Sequence, residues 1–375
     1  MKSRLFSPLK LRTVLIPNRI VVTAMNQHSA IEGLANDWHM VNYGKFAQSG
    51  AAMVMLETAA IEARGRATYG DLGLWSNDHV APLGRIATFI RSQGAIAAIQ
   101  LGHAGRKAGL QRPWEGGGQL SETEAIRGET PWQTLAPSAI PAAPNWPVPS
   151  TMSAVQLEEV ASAFEAAARR AIRAGFDVLQ IDCAHGHLLH QFLSANANLR
   201  SDAYGGSADR RRAYPLAILK RVRAIWPADK PLMCSVPTLA SVDDGYGMDE
   251  AIDFVRELKA IGVDLVECAA PDLLENTGNP QRAGRNMEST LLHAEQFRRN
   301  VVIPTMAVNC GGDPARFDAF VSAGRADFIG VTREAVHNPN WPLHARAQLE
   351  ADAYDGWPRQ YSWLLARTGA SAENV

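Results

Sequence analysis

Cysteine is scarce in this chain. The 375 residues contain four, Cys183, Cys234, Cys268 and Cys310, and no two form a CxxC pair. That spacing argues against a disulfide framework and against a zinc or iron–sulfur site, and it points to a reducing, cytoplasmic setting. Charge of one sign is missing as well. A formal net charge of −1 leaves no electrostatic footprint for nucleic acid or anionic lipid. No apolar run approaches the roughly 20 residues a membrane-spanning helix needs. The start, MKSRLFSPLK, carries charge but no apolar leader core, so no secretory signal is expected there. No glycine-rich dinucleotide fingerprint follows the first apolar run, and no internal repeat or low-complexity tract is present.

What is present is a regular alternation. With 46% hydrophobic residues the chain can fill a large core, which sets it apart from disordered sequences. Strand-like apolar runs fall at Ile20–Ala24, Met53–Thr58, Ile96–Leu101, Val178–Asp182, Leu232–Val236, Leu265–Cys268, Val301–Met306 and Phe328–Val331. Amphipathic stretches lie between them. The clearest is Val155–Ala174, with Leu157, Val160, Phe164, Ala168 and Ile172 at helical spacing. Ser153 suits its N-cap and Gly175 its C-terminal stop. Further helices fit Asp209–Trp226, Met248–Ile261, Met287–Asn300 and Asp313–Ala323.

Eight such strands, each followed by a helix, predict an α/β fold of (β/α)8 TIM-barrel type. A doubly wound sheet is the runner-up, disfavoured by the missing fingerprint. The expected organisation is one domain over 1–375. The segment before Ile20 reads as a hairpin capping the barrel's bottom. Residues 103–152, rich in Pro, Gly and Trp after the third strand, read as a substrate-covering loop. Residues 350–375 read as a C-terminal tail.

The stretch Val178 to Ser194, VLQIDCAHGHLLHQFLS, organises the rest. Its apolar part is a buried strand that stops at Asp182, Cys183, His185, His187 and His190. Ionisable groups at a strand's carboxyl end occupy the usual catalytic position of barrel enzymes. On paper the His and Asp spacing resembles a metal cluster, but it matches no standard zinc site, and no metal is expected.

Over nearly its whole length the sequence resembles the Old Yellow Enzyme family, FMN-dependent ene-reductases, in their smaller bacterial branch. The resemblance rests on LFSPLKLRTVLIPNRIVV, RGR at 64–66, DLGLWSNDHV at 71–80 and IQLGHAGRKA at 99–108. It continues through APSAI, AGFDVLQI, AHGHLLHQFLS, LRSDAYGGS, GVDLVE and AGRADFIGVTRE. It implies FMN as cofactor, NAD(P)H as electron donor, a small organic substrate and a homo-oligomer. By the resemblance, Ala24 and Met25 face the flavin and Ala60 abuts its ring. Gln100 meets the pyrimidine edge and Arg333 holds the phosphate, with Met306 and Thr332 nearby. A guanidinium at a helix start is also a sound anion site on its own chemistry.

Several positions depart from the family pattern. The first member of the substrate-binding histidine pair is Asp182, with His185 kept as the second. The proton-donating tyrosine is His187. Asn26 and His28 stand at the first strand's substrate-facing positions. An arginine supporting the flavin's N1 side is Ser235. The C-terminal arginine that reaches a neighbour's cleft is Trp363, with Arg367 a possible shifted substitute.

These changes alter the expected chemistry. Ene reduction needs a hydride donor, a proton donor and donors that polarise an electron-withdrawing oxygen. An ionised Asp182 would repel a developing enolate and favour an amine, ammonium or phenol. Asp182, His185 and His187 are therefore expected to carry substrate contact and proton transfer. The predicted activity is hydride transfer between flavin N5 and a small substrate other than an ordinary enone. An amine-oxidising version and a non-redox lyase or isomerase using the same Asp–His set stay open. For His28, His103 and Glu57, structural and site roles both stay open.

Overall fold

The computed structural model describes residues 3–238, 246–269, 287–308, 312–350 and 354–372, without the side chains of 287–288 and 367–372. A hairpin comes first: β1 (Leu9–Leu11) pairs antiparallel with β2 (Val14–Ile16). Seven elements follow up to the long excursion's end: β3 (Ile20–Val22), α1 (Asp37–Ala47), β4 (Met53–Ala60), α2 (Val80–Ser92), β5 (Ile96–Gly102), β6 (Leu135–Ala136) and β7 (Ser150–Thr151), with a short α3 (Glu122–Ile126) inside the excursion. Then come α4 (Ala154–Ala174), β8 (Val178–Asp182), α5 (Leu188–Leu193), α6 (Ala208–Ile225), β9 (Leu232–Pro237), α7 (Met248–Ile261) and β10 (Leu265–Ala269). The chain closes with α8 (Met287–Val301), β11 (Thr305–Ala307), α9 (Pro314–Ser322), β12 (Phe328–Val331), α10 (Arg333–His337), α11 (Trp341–Glu350) and α12 (Arg359–Ala372).

Strands β3, β4, β5, β8, β9, β10, β11 and β12 pair in that order, all parallel, and β12 returns to β3. This is the closed barrel that the strand–helix alternation predicts. The predicted 301–306 strand shortens to β11 because α8 runs on through Val301, and Val302 then turns with φ +58°. Helix α4 starts at the Ser153 cap, whose hydroxyl accepts from Gln156 N, and stops at Gly175 with φ +83°.

Alternation along the strands sorts the core into two clusters. Outward positions such as Val54, Leu56, Ile99, Leu179, Ile181 and Val266 pack under the helices. Inward positions Val21, Met53, Met55, Ala98, Val178, Met233, Leu265, Met306 and Phe328 fill the barrel. Leu11 and Ile16 of the hairpin join this inner cluster, so the hairpin plugs the bottom as predicted. Higher up, the inward positions change character to Thr58, Gln100, Gln180, Asp182, Ser235 and Glu267. A barrel dry below and polar above assigns the chemistry to its carboxyl-end mouth.

The excursion after β5 is not structureless. Arg112 and Arg127 each pair with Glu115 and Glu129, and Ser121 and Glu124 cap α3 reciprocally. Its Trp132 Nε1 donates to Arg64 O at 2.9 Å, while Tyr69 Oη donates to Thr130 O at 2.9 Å. The Arg66 guanidinium sits among the rings of Tyr69, Trp75 and Trp132. These contacts fasten the loop to the segment after β4.

Candidate active site

Asp182 ends β8 with its side chain on the inner face of the barrel, and it is only 1% exposed. Its Oδ1 accepts from Ser235 Oγ at 2.6 Å and Ala184 N at 3.1 Å, and lies 3.0 Å from His185 Nδ1. Its Oδ2 lies 2.5 Å from His187 Nδ1. Burial alone would push this carboxyl up. The charges and hydrogen bonds of His185 and His187 outweigh burial and hold it well below the usual carboxylate range. An ionised carboxylate only accepts, so each facing Nδ1 must carry its hydrogen. That fixes both rings with Nε2 as the remaining nitrogen.

The sequence sets this geometry locally. His185 has φ +61° and Gly186 φ +70°, two consecutive left-handed residues that fold the turn back over Asp182. For a histidine this conformation is uncommon and costs energy. Neighbours hold it in place. Lys107 Nζ donates to His185 O at 3.2 Å, and Gln191 Nε2 to Gly186 O at 2.8 Å. Gly186 N donates to His190 Nδ1 at 2.9 Å, and Leu188 N to His103 O at 2.8 Å. Burial, then the nearby Lys107, lowers His190 to about 3, so it is a neutral acceptor bracing the turn.

Asp182, His185 and His187 therefore come together as expected, with one difference. The imidazoles cover the carboxylate, so Asp182 anchors them and does not itself face the mouth. His185 and His187 keep 33% and 17% side-chain exposure, and their rings stand 5.9 Å apart. Candidate ligand atoms of the three residues lie within 4.8 Å of one another. Both imidazoles are at hydrogen-bond distance from the carboxylate.

The remaining candidates fall in several places. Ala24, Met25 and Asn26 are half-buried just beyond β3, and Ala60 is buried at the end of β4. Gln100 is inside the mouth, where it accepts from the Thr58 hydroxyl and donates to Gln180 Oε1 at 2.7 Å. Ser235 directs its hydroxyl at Asp182, 2.6 Å away, so that group is committed to the carboxylate. Met306 is fully buried among apolar side chains of the barrel. Trp363 is 56% exposed on α12; the side chain of Arg367 lies outside the described residues, as does Cys310.

His28 adopts φ +48° and points Nδ1 at Asp71 Oδ1, 2.8 Å away, and at Thr68 Oγ1, 3.0 Å away, with Trp114 of the excursion edge-on to it. His103 has the structural role: Nδ1 accepts from Gly105 N at 2.9 Å and Nε2 faces Glu62 Oε1 at 2.9 Å. Glu57 also points away from the mouth. It accepts from Tyr43 Oη at 2.9 Å and Gln27 N at 2.8 Å, pinning the segment after β3 to α1. Cys183 is fully buried, and burial raises its thiol, so it is inert.

Sequence reasoning missed Thr58, Gln180 and Glu267. Gln180 Nε2 donates to Glu267 Oε2 at 2.6 Å inside the barrel. A polar residue at an inward position of an otherwise apolar strand is the signal that marks each of them.

Residues suited to a flavin mononucleotide are present. Thr23 Oγ1, just before Ala24, is buried without a hydrogen-bond partner among the described residues. Arg333 opens α10 directly after the last strand, is exposed and makes no ion pair with any described residue. Barrel phosphate sites commonly form at this point, after strands seven and eight. At Gly330 an added Cβ would lie 2.6 Å from Thr23 Cγ2 and 2.7 Å from Val308 Cγ1, so the backbone there is close-packed.

A parallel barrel with a polar mouth, an unpaired arginine after its last strand and an anchored imidazole pair has the layout of a flavin-dependent barrel oxidoreductase. Known proteins agree. The model of the NADH:flavin oxidoreductase / NADH oxidase family matches residues 4–352. An NADPH dehydrogenase of Listeria monocytogenes serotype 4a is 35% identical over 362 residues, covering 96% of this chain and 98% of that protein. An NADPH dehydrogenase of Geobacillus thermodenitrificans is 32% identical over 351 residues, covering 93% and 95%. Among solved structures, morphinone reductase superposes with a TM-score of 0.75 at 22% identity, covering 92% of this chain and 90% of that one. A 2-naphthoyl-CoA reductase gives 0.81 at 21% identity, and this chain spans 53% of its length; both likenesses concern the fold. The chain belongs to the NADH:flavin oxidoreductase / NADH oxidase family, the Old Yellow Enzymes, and is an FMN-dependent NAD(P)H oxidoreductase. No described helix is long and apolar enough to cross a membrane.

Proposed function

We propose that His185 and His187 contact the reacting polar group of the substrate through Nε2, with Asp182 fixing both rings. The supporting observation is the shared carboxylate: both Nδ1 atoms face Asp182 at 3.0 and 2.5 Å. With Nδ1–H committed, Nε2 is the nitrogen that exchanges a proton with the mouth, and once it has released that proton it turns a lone pair there. Such a pair accepts protons and hydrogen bonds, whereas polarising an enone oxygen calls for donors. The substrate class is then a small molecule that brings its own proton, such as a phenol, an amine or an enol, with one imidazole taking that proton as hydride moves. Amine oxidation is one version of this chemistry.

FMN, when bound, supplies hydride exchange at N5. In this reading Arg333 and the Thr332 turn hold its phosphate, Gln100 meets the ring's polar edge, and Ala24, Met25 and Ala60 line its faces. Asn26 and His28 border the substrate, and the 103–152 excursion covers it and excludes water. A cytoplasmic location fits the three buried free thiols, Cys183, Cys234 and Cys268. A homo-oligomer fits α12, where Tyr361, Trp363 and Leu364 are all about half exposed.

The test is a substrate panel of enones, phenols and amines on FMN-loaded protein, beside the Asp182→His variant. Wild type is expected to favour the proton-bearing substrates and the variant to gain enone reduction. Wild-type enone turnover matching or exceeding the others contradicts the proposal.

A further inference from the structure

Three inward residues lie side by side at the mouth on neighbouring strands. Asp182 pairs in register with Ser235 across β8 and β9, and Ser235 with Glu267 across β9 and β10. Ser235 turns its hydroxyl to Asp182. Glu267 does not join that cluster. Instead it ends a directional row: the Thr58 hydroxyl donates to Gln100, Gln100 Nε2 to Gln180 Oε1 at 2.7 Å, and Gln180 Nε2 to Glu267 Oε2 at 2.6 Å. Four residues from β4, β5, β8 and β10 thus share one chain, in which each donor points on toward Glu267.

Glu267 is 4% exposed, and among the described residues its side chain makes no ion pair and no other hydrogen bond. Its Oε1 is therefore the one oxygen of the row left over. The titratable groups facing it are Asp182 and His185, both from β8 and its turn. Burial is the largest influence and raises the Glu267 carboxyl. His185 and the bond from Gln180 oppose it, and Asp182 adds to it. Two acids in one mouth do not both ionise readily when only one has cationic partners. Asp182 has both imidazoles; Glu267 has one amide.

We infer that Glu267 is a neutral carboxylic acid whose Oε1–H donates to the polar edge of the flavin ring, extending the row that begins at Thr58 and Gln100. This rests on the reading above that the polar layer faces the cofactor. A neutral donor there supports electron density on the ring's edge, whereas a carboxylate would repel it. The Gln180 contact selects which oxygen bears the hydrogen, so Gln180 is a positioning residue for the acid.

The experiment compares Glu267→Gln, Glu267→Leu and Gln100→Ala in the full chain, reading the Kd for FMN by flavin fluorescence and the midpoint potential of bound FMN. Infrared difference spectra of wild type and Glu267→Gln read the protonated-carboxyl C=O stretch at neutral pH. Expected is a roughly three- to tenfold loss of FMN affinity in Glu267→Leu, with a more negative potential. Glu267→Gln, which keeps an N–H donor, should stay near wild type, and the difference spectrum should show a wild-type C=O band that this variant lacks, the Glu57 band being common to both. If Gln100→Ala weakens FMN but Glu267→Leu does not, this inference fails and the reading of the polar layer stands. If neither weakens FMN, both fail. Should Glu267→Leu not fold, the infrared difference decides: no C=O band lost on Glu267→Gln overturns the inference.

Discussion

His187 Nδ1 lies 2.5 Å from Asp182 Oδ2, and that contact leaves Nε2 as the ring nitrogen turned away from the carboxylate. An asparagine at 182 presents one acceptor and one donor, so at least one ring must turn over its tautomer. Asp182→Asn is expected to lower turnover of the preferred substrate by about 10²- to 10⁴-fold. FMN content should be unchanged. Stopped-flow measurement of the step between reduced enzyme and substrate checks this, with flavin absorbance as the control.

His185 and His187 lean on one carboxylate and so act as a unit. His185→Phe and His187→Phe are each expected to cost about 10- to 100-fold in kcat/KM. The double variant should cost clearly less than the product of the two. A double-mutant cycle on kcat/KM gives the answer; strict additivity would mean that the two rings work independently.

Lys107 holds the His185 carbonyl from beneath, at 3.2 Å. Without it the left-handed turn loses a tether on its strained residue. Lys107→Met is expected to reduce stability by about 1–3 kcal/mol and activity about tenfold, while leaving FMN affinity close to wild type. Thermal melts and steady-state kinetics on one preparation separate the two effects.

Glu57 gives the fold a pH signature away from the catalytic groups. Burial, helped by Asp71 and opposed by the bonds from Gln27 and Tyr43, raises it to about 8, from an ordinary value of 4.5. Burial lowers His39, 3.6 Å away, to about 4, from 6.5. Between about pH 4.5 and 6.5 the folded chain holds an extra proton on Glu57 and lacks one on His39, so the two largely cancel. Between about pH 6.5 and 8 only the Glu57 difference remains. The folded state binds more protons there, so its stability falls as pH rises, by about 1–2 kcal/mol from this source. Denaturant melts across that window should show the fall in wild type and a smaller one in Glu57→Gln.

Much of the architecture is legible in the chain because its signals are local. Alternating apolar runs and helical spacing mark all eight barrel strands, and Ser153 and Gly175 bound α4 where cap chemistry places them. The 301–306 run misleads because an apolar helix end and a short strand abut there. Asp182, His185 and His187 are legible as a group, since all three fall within one turn of a strand end. Their division of labour is not. That Asp182 lies behind the rings follows from the positive φ at His185 and from tethers supplied by Lys107 and Gln191, which residue identities do not disclose. Glu267 stays hidden for another reason. Its partner Gln180 is 87 residues away in sequence, and only barrel closure brings the two together.

The claim under all of this is that one carboxylate fixes two imidazoles so that both present Nε2 to the flavin mouth. Nitrogen-15 NMR of imidazole-labelled protein, assigned with His185→Gln and His187→Gln, reads it directly. Both rings are predicted to carry hydrogen on Nδ1, with the pattern lost in Asp182→Asn. A wild-type spectrum in which either ring has an unprotonated Nδ1 would contradict the account.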